Sequence, residues 1–481
     1  MKVLFLAAEA APLVKVGGLG DVAGSLPAAL IEAGHEVRVA IPGYGRIDWA
    51  RWRPEPIDSV TVRRGAGDQR ADIFATDVGG VPHWLVTGPP IPTDSQVYGA
   101  GIEEDGPKFI FYALASLWAA QSLGFRPDVV HAHDFHAAAA IYWLGVEGRR
   151  NDFFRLAASV LTIHNLPYAG QGAGRAMGEY LLPRTDAAEA LPRSHRDSLL
   201  ALGILMADEI TTVSPTYARE IRTPEYGYGL DGLLRSRADH LTGILNGIDV
   251  RSWNPATDDA LAVRYDAGSV ARRRPNKAQL QRDAGLPEDP ARPLLAVVSR
   301  LDNQKGLDIA IPAVSRWLAI GGQFVLLGTG ESALEHAFAA LELQYPGQAS
   351  VRLRFDGPYA RRIYAGADAL LIPSRYEPCG LTQMIAMRYG AVPVARRTGG
   401  LADTVIDAGD PGGNGLMFDQ YSATALWDAL ERMMRVYAQP EKWAQLQSHG
   451  MQADFSWTRS AAQYGALYAQ AQRARPAESR A

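Results

Sequence analysis

Lys15 and three glycines follow the first apolar run of the chain. Residues 15–22 read Lys-Val-Gly-Gly-Leu-Gly-Asp-Val and lie between the run 3–8, typical of a buried parallel strand, and a helix-like stretch. Glycines let the backbone approach a ligand, and the first amides of a helix have no partner within it. With the charge of Lys15 beside them, these groups suit an anion, most plausibly a phosphate. The alternative is a glycine turn that only packs the helix on the sheet.

Residues 18–23 also match the dinucleotide-binding pattern G-x-G-x-x-A. That kind of site needs its glycines in a tight turn directly after the strand, and an acidic residue at the end of the next strand. Here residues 9–15 separate the strand from the glycines, and the next predicted strand, 36–41, is followed by Pro-Gly-Tyr. The pattern therefore does not indicate a nicotinamide dinucleotide.

Two cations follow a strand-like run in the second half of the chain. Residues 299–306 read Ser-Arg-Leu-Asp-Asn-Gln-Lys-Gly and lead into a predicted helix. Arg300 can hold phosphate oxygens through paired N–H groups, and Lys305 adds a point charge near the helix N-terminus. The pair predicts a site for a diphosphate, unless both side chains are ordinary surface cations.

Glu377 lies in the loop 374–383, between another predicted strand and helix. A carboxylate at that edge of a sheet suits the hydroxyls of a sugar or a ribose, although many loop acids are simply solvated. Cys379 has no histidine nearby in sequence, which favours a small buried side chain over a nucleophile. Three residues supply amides at the helix start: Gly380, Leu381 and Thr382.

Histidines cluster in residues 131–136, His-Ala-His-Asp-Phe-His. Strand alternation places His131 and His133 on one face, but no further ligands follow at metal-binding spacing, so we predict no metal. Asp134 is expected to meet ligand hydroxyls. His164, at the end of run 158–163, is either a donor to a sugar hydroxyl or a structural histidine. Asn246 offers an amide suited to polyol recognition.

Alternating strand-like and helix-like segments must position these residues. Strand candidates in the first half are 3–8, 36–41, 71–76, 83–86, 128–133, 158–163, 209–213 and 241–245, with helices at about 107–122 and from His136. A second series has strand candidates at 294–299, 323–327, 351–355, 369–372 and 392–395. This alternation predicts parallel, doubly wound α/β sheets whose ligands gather at the carboxyl ends of the strands. The charged stretch 258–292 is predicted to be a connecting region.

The 481 residues are too many for one core. We predict Rossmann-like domains over 1–245 and 246–455, a last helix over 456–473, and a disordered tail over 474–481. The net charge of −4 argues against nucleic acid or a membrane surface as the partner. The single cysteine excludes an intramolecular disulfide, and with no apolar run of about 20 residues or signal peptide we expect a cytoplasmic protein.

Taken together and in order, the motifs resemble those of bacterial glycogen synthase and its plant relative, starch synthase. The matching segments are 15–19, 133–134, 162–165, 212–215, 243–249, 299–306 and 377–381. The resemblance implies a GT-B fold: two Rossmann-like domains facing a deep cleft, with the last helix crossing back to the first domain. It also implies retaining transfer of glucose from ADP-glucose or UDP-glucose to the non-reducing end of an α-1,4-glucan, with no metal or cofactor.

The resemblance also implies roles for individual residues. Arg300 and Lys305 would neutralise the donor diphosphate, and Glu377 would bind the donor glucose. The contacts expected near the phosphates are Lys15, Gly17, Gly18, Leu381 and Thr382, with Cys379 and Gly380 beside them. Those expected at the sugars are His164 at the hydroxymethyl group, Asn246 at another hydroxyl, and Asp21 and Asp134 near donor or acceptor sugars. Phe355 is expected to stack on the base. Val16 replaces the usual threonine of the family, and Ile385 stands where the wider superfamily has a second glutamate. Two alternatives are a glycosyltransferase with a small acceptor and a catalytically silent glucan- or nucleotide-binding protein.

Overall fold

The computed structural model describes residues 1–94 and 96–474 and divides the chain into two compact units. Unit 1 comprises Met1–Gly247 together with the C-terminal segment from Trp457, and unit 2 comprises Ile248–Ser456. Each unit is built around its own sheet. The predicted tail 474–481 lies outside the described residues apart from Ala474.

Unit 1 contains one sheet with helices around it. Its strands are β1 (Lys2–Leu6), β2 (Glu36–Pro42), β3 (Glu55–Val62), β4 (Gln69–Val78), β5 (Val81–Thr87), β6 (Val129–His133), β7 (Ala158–Ile163), β8 (Glu209–Thr212) and β9 (Leu241–Gly243). Its helices are α1 (Gly18–Glu32), α2 (Trp49–Trp52), α3 (Ile102–Ser122), α4 (Asp134–Val146), α5 (Gly174–Glu179), α6 (Asp186–Glu189), α7 (Leu199–Met206), α8 (Pro215–Glu220), α9 (Asp231–Ser236) and, at the end of the chain, α18 (Trp457–Arg473).

The order of the strands in unit 1 is β3-β4-β5-β2-β1-β6-β7-β8-β9, and only the β3–β4 and β4–β5 pairs are antiparallel. The central strand β1 is apolar from Val3 to Leu6 and fully buried there, as expected for a strand covered on both faces. Helix α18 packs against α1 and β7, with Tyr464 and Tyr468 fully buried. β1, β6 and β7 are parallel neighbours, so their carboxyl ends lie at the same edge of the sheet. The loop 7–17, the start of α4 at Asp134 and the loop with His164 follow those ends.

Unit 2 is an all-parallel sheet with helices around it. Its strands are β10 (Leu294–Val298), β11 (Gln323–Leu327), β12 (Ala349–Arg352), β13 (Ala369–Ile372), β14 (Val392–Arg396) and β15 (Leu416–Phe418), in the order β12-β11-β10-β13-β14-β15. Its helices are α10 (Arg274–Asp283), α11 (Leu307–Ala319), α12 (Ser332–Gln344), α13 (Gly357–Gly366), α14 (Thr382–Arg388), α15 (Gly399–Thr404), α16 (Ala423–Tyr437) and α17 (Pro440–Gln452).

The predicted fold class, α/β with two doubly wound domains, is confirmed, with several local differences. The antiparallel edge strand β3 was not predicted, because most of its residues are exposed and it begins with Glu-Pro. Helix α10 forms within the stretch predicted as a connection, where Pro275 lies in the first turn of the helix. The strand predicted over 351–355 ends at Arg352, so Phe355 lies in a loop. Residues 18–22 belong to α1 rather than to the preceding loop.

Candidate active site

Lys305 and Glu377 lie together at the carboxyl ends of the strands of unit 2. After β10, Asp302 accepts a hydrogen bond from the Lys305 backbone amide at 3.2 Å and caps the 3₁₀ turn Asn303–Lys305. Lys305 Nζ contacts Glu377 Oε2 at 2.7 Å, and the Ser374 hydroxyl donates to the same oxygen at 3.0 Å. The Glu377 side chain is only 7% exposed, so its charge is both buried and compensated.

A small cavity of about 20 Å³ is lined by polar groups from both predicted motifs of unit 2. Ser299 and Lys305 come from the first motif, and Ser374, Glu377 and Thr382 from the second. The two motifs, far apart in sequence, are therefore brought together in space.

Arg300 does not line that cavity. Its guanidinium contacts Asp302 at 3.0 Å, and 58% of its side chain is exposed. An exposed guanidinium with one carboxylate partner keeps donors free for phosphate oxygens, because Arg carries five N–H groups. Arg300 is thus available to a ligand, whereas Lys305 is already engaged by Glu377.

Gly399 and Gly400 contact the backbone of the loop that carries Glu377. This glycine pair was not predicted from the sequence. The Gly400 amide donates to the Glu377 carbonyl at 3.0 Å, and a Cβ at Gly399 would lie 1.8 Å from that carbonyl oxygen. The signal was present, since Gly-Gly at the start of a helix after a strand indicates close backbone approach. Cys379 is buried in this loop, as predicted for a structural thiol.

Helix α14 begins at Thr382, directly after Gly380 and Leu381, and no side chain caps its N-terminus. Its first amides therefore have no capping side chain, and the anion contact expected there from the sequence stays a prediction. Gly380 has a φ of +73°, a left-handed conformation that favours glycine. Phe355 lies elsewhere in unit 2, between β12 and α13, and is 90% exposed, as a ring that stacks on a ligand requires.

In unit 1, His133 and His164 are adjacent, with His133 Nδ1 and His164 Nε2 2.9 Å apart. Burial lowers the pKa of His164 to about 3, so the imidazole is neutral near pH 7 and can donate a hydrogen bond without carrying charge. His131 is fully buried between Tyr468 and Thr162, which makes it structural.

Asp134 is the first residue of α4 and has a φ of +55°, a conformation that non-glycine residues seldom adopt. Its Oδ1 accepts a hydrogen bond from the His164 backbone amide at 2.7 Å. Burial raises its pKa to about 7, even though hydrogen bonds from the backbone of His164 and Asn165 oppose that shift. A strained, buried carboxyl group that titrates near neutrality is typical of a functional site.

The loop before α1 differs from the open anion cradle that its glycines suggest. The backbone amides of Val16 and Gly17 donate to the carboxylate of Glu9, which sequence reasoning did not single out. Lys15 Nζ contacts Asp21 Oδ1 at 2.7 Å, and both side chains are partly exposed. Gly18 starts α1, and no side chain caps that helix end.

Asn246 is 7% exposed, and its side-chain oxygen makes no hydrogen bond within the described residues.

Among residues 1–94 and 96–474 there is no cluster of histidine, cysteine and acidic side chains suited to hold a metal. No helix in the same part of the chain is long and apolar enough to cross a membrane.

Comparison with known proteins first defines the class. Residues 2–236 match the family model described as the starch synthase catalytic domain, and residues 279–447 match that of glycosyl transferases group 1. The catalytic domain of starch synthase IV from Arabidopsis thaliana, bound to ADP and acarbose, has a TM-score of 0.91 with 34% identity, covering 98% of this chain and 99% of that one. The fold is therefore GT-B, the glycosyltransferase class to which that domain belongs.

Curated sequences then define the family. A glycogen synthase of Moorella thermoacetica is 42% identical over 98% of this chain and 97% of its own length. One from Yersinia enterocolitica is 40% identical over 97% of this chain and 99% of its own length. The chain belongs to the glycogen synthase family and is a glucosyltransferase.

Proposed function

We propose that the protein transfers glucose from ADP-glucose to the non-reducing end of an α-1,4-glucan, with retention of configuration and without a metal or cofactor. The observation that carries the proposal is the cluster of the partly buried Lys305 with the buried Glu377 and Ser374, beside the uncapped N-terminus of α14. It puts a cation, free amides and a carboxylate at one sheet edge, the set that a sugar diphosphate needs. The starch synthase IV relative, which is described with ADP and acarbose, supports this choice of ligands.

The chemistry follows from the charges. Breaking the bond between glucose and the diphosphate places negative charge on the leaving oxygen, and fixed cations stabilise that charge in the transition state. Arg300 and Lys305 supply the cations in this proposal, and the amides at Leu381 and Thr382 add donors. Glu377, held by Lys305, accepts hydrogen bonds from hydroxyls of the donor glucose.

On unit 1, His164 is neutral and presents a half-buried imidazole at the end of β7. We assign it a hydrogen bond to the donor sugar at its hydroxymethyl group. Asn246, whose buried side-chain oxygen has no partner in the described chain, accepts from another hydroxyl. A buried polar atom without a partner is costly, so a ligand hydroxyl at that position satisfies it.

The test is a side-by-side assay with ADP-glucose and UDP-glucose, each with glycogen, following nucleotide release and glucan extension. We expect release and extension together, faster with ADP-glucose. Lys305→Ala should slow both about 10²- to 10³-fold. Arg316→Ala, which removes an exposed cation packed on Trp427 in the same unit, should leave both unchanged. Donor turnover without elongation would replace the glucan with a small acceptor, and no turnover with either donor would overturn the proposal.

A further inference from the structure

Glu9 is buried at the carboxyl end of β1, where it is only 1% exposed. It accepts hydrogen bonds from the backbone amides of Val16 and Gly17, the latter at 3.2 Å to each carboxylate oxygen. The Tyr98 hydroxyl donates to Oε1 at 3.1 Å. No lysine or arginine forms an ion pair with Glu9 among the described residues. A buried carboxylate is thus held by three donors from the loops alone.

Tyr98 is itself fixed by the start of α3. The buried Lys108 ammonium donates to the Val97 carbonyl at 2.7 Å, and the Gly99 amide donates to Asp105 at 2.8 Å. These bonds flank Tyr98 on both sides. Burial, followed by the charge of Glu9, raises the pKa of Tyr98, so its hydroxyl stays protonated and remains a donor. The three donors around Glu9 are therefore set before any ligand arrives.

Gly17 in the loop and Gly18 and Gly20 in the first turn of α1 lie at different distances from Glu9. A Cβ at Gly17 would lie 3.4 Å from Glu9 Oε1, and one at Gly20 would lie 3.2 Å from Oε2. A Cβ at Gly18 would meet no atom within 4 Å in the described chain. Gly17 and Gly20 thus make room for the carboxylate of the protein itself, whereas Gly18 faces open space.

We propose that Glu9 is a positioning residue: an internal anion that occupies the amides of Val16 and Gly17 and so fixes the loop that presents Lys15 and Gly18 to the donor. The amides of Val16 and Gly17 then stabilise the loop and do not bind the donor, which contacts Lys15 and Gly18 instead. The role in catalysis rests on the proposed function. The claim that the Glu9 carboxylate occupies the loop does not depend on the proposed function. The catalytic role and the occupation of the loop are therefore tested separately.

The experiment uses the full-length protein with Glu9→Gln and Glu9→Ala. Gln has nearly the same size but points an NH₂ group at a backbone N–H, so kcat/KM for the donor should fall about tenfold or more, as expected for lost hydrogen bonds to a charged acceptor. The donor KM should rise while the glucan KM stays unchanged, a split that partial unfolding does not produce. Glu36→Ala, which removes an exposed carboxylate on β2, is the matched control and should behave as wild type.

Glu9→Ala leaves a cavity lined by the same donors, which a small anion can enter. Formate should raise the Tm of this variant and restore part of its kcat/KM, whereas neutral formamide should do neither. Should Glu9→Ala fail to fold, Tyr98→Phe removes a single donor and should raise the donor KM in the same direction as Glu9→Gln.

Wild-type kcat/KM in Glu9→Gln would overturn the proposal, as would equal effects of formate and formamide on folded Glu9→Ala. Lack of turnover by the wild-type protein would instead remove the proposed function. The formate-dependent Tm of Glu9→Ala would still decide whether the loop holds an anion.

Discussion

Gly18→Ala should stabilise the fold and lower the activity, a combination that separates the structural role of the glycine from its role in binding the donor. Gly18 is the first residue of α1, and the added methyl group meets nothing within 4 Å in the described chain. Alanine at a compatible position reduces the entropy of the unfolded chain and favours helix, together about 0.5 kcal/mol or slightly more. Tm should therefore rise slightly.

The activity should change in the opposite direction. If the phosphates of the donor approach the Gly18 backbone, the methyl group fills space that the ligand uses. Overpacking of that kind costs about 1–3 kcal/mol. Since about 1.4 kcal/mol corresponds to a factor of ten, kcat/KM for the donor should fall roughly 5- to 150-fold. Initial rates against ADP-glucose concentration at saturating glycogen measure this value, and a thermal melt of the same preparation measures stability.

Two neighbouring variants serve as controls. Gly20→Ala places its Cβ 3.1 Å from the Lys15 side chain and 3.2 Å from Glu9, so stability and activity should fall together. Gly24→Ala places its Cβ 2.4 Å from the Ala11 carbonyl oxygen, so it should be the least stable of the three. A Gly18→Ala variant that keeps kcat/KM within about twofold of wild type, or that loses as much stability as Gly20→Ala, would show that the donor does not approach Gly18 in this way.

Three further variants test other parts of the site. Lys305→Ala should lower kcat about 10²- to 10³-fold, because it removes a fixed positive charge that stabilises the leaving diphosphate. Circular dichroism should show that the fold is retained. Phe355→Ala should raise the donor KM and spare kcat, since a stacked base contributes about 1–3 kcal/mol. Asp134, with a pKa raised to about 7 by burial, binds a proton on folding, so its contribution to stability is complete below about pH 4 and is lost as the pH rises to 7. Asn tolerates the left-handed conformation and does not ionise. The free energy of unfolding of Asp134→Asn should therefore increase relative to wild type as the pH rises from 4 to 7, by at most about 4 kcal/mol. Denaturant midpoints measured between pH 4 and 8 give this difference.

The central strands of both sheets were predictable because strands covered on both faces are continuous apolar runs. β1 and β10 are examples, with Val3–Leu6 and Leu294–Val297 fully buried. The edge strand β3 was not, since only Val60 and Val62 of its residues are buried and its register is irregular near Pro56. Local patterns do not report which strands lie at an edge; that depends on pairing between distant segments.

The site shows the same division. Arg300, Lys305 and Glu377 are predicted as site residues from their residue type and their position after a strand. The contact between Lys305 and Glu377 spans 72 residues and has no local signal. Glu9 is not among the residues predicted from the sequence. A weak signal existed: an acidic residue between a buried run and a glycine loop has few ways to be satisfied except by the amides of that loop.

Each cation predicted to bind phosphate is already paired with a carboxylate from its own unit. The pairs are Lys15–Asp21 at 2.7 Å, Arg300–Asp302 at 3.0 Å and Lys305–Glu377 at 2.7 Å. Paired cations have little net charge at long range, where salt also screens them. We therefore expect the donor to be recognised mainly by short hydrogen bonds whose geometry the carboxylates fix in advance. Arg and Lys differ in that geometry more than in charge, so exchange of one for the other at Arg300 or Lys305 is not a conservative change. Glu9 fixes geometry in the same way without a cation. Its carboxylate holds the backbone of the loop, so the loop does not have to reorganise when the ligand binds.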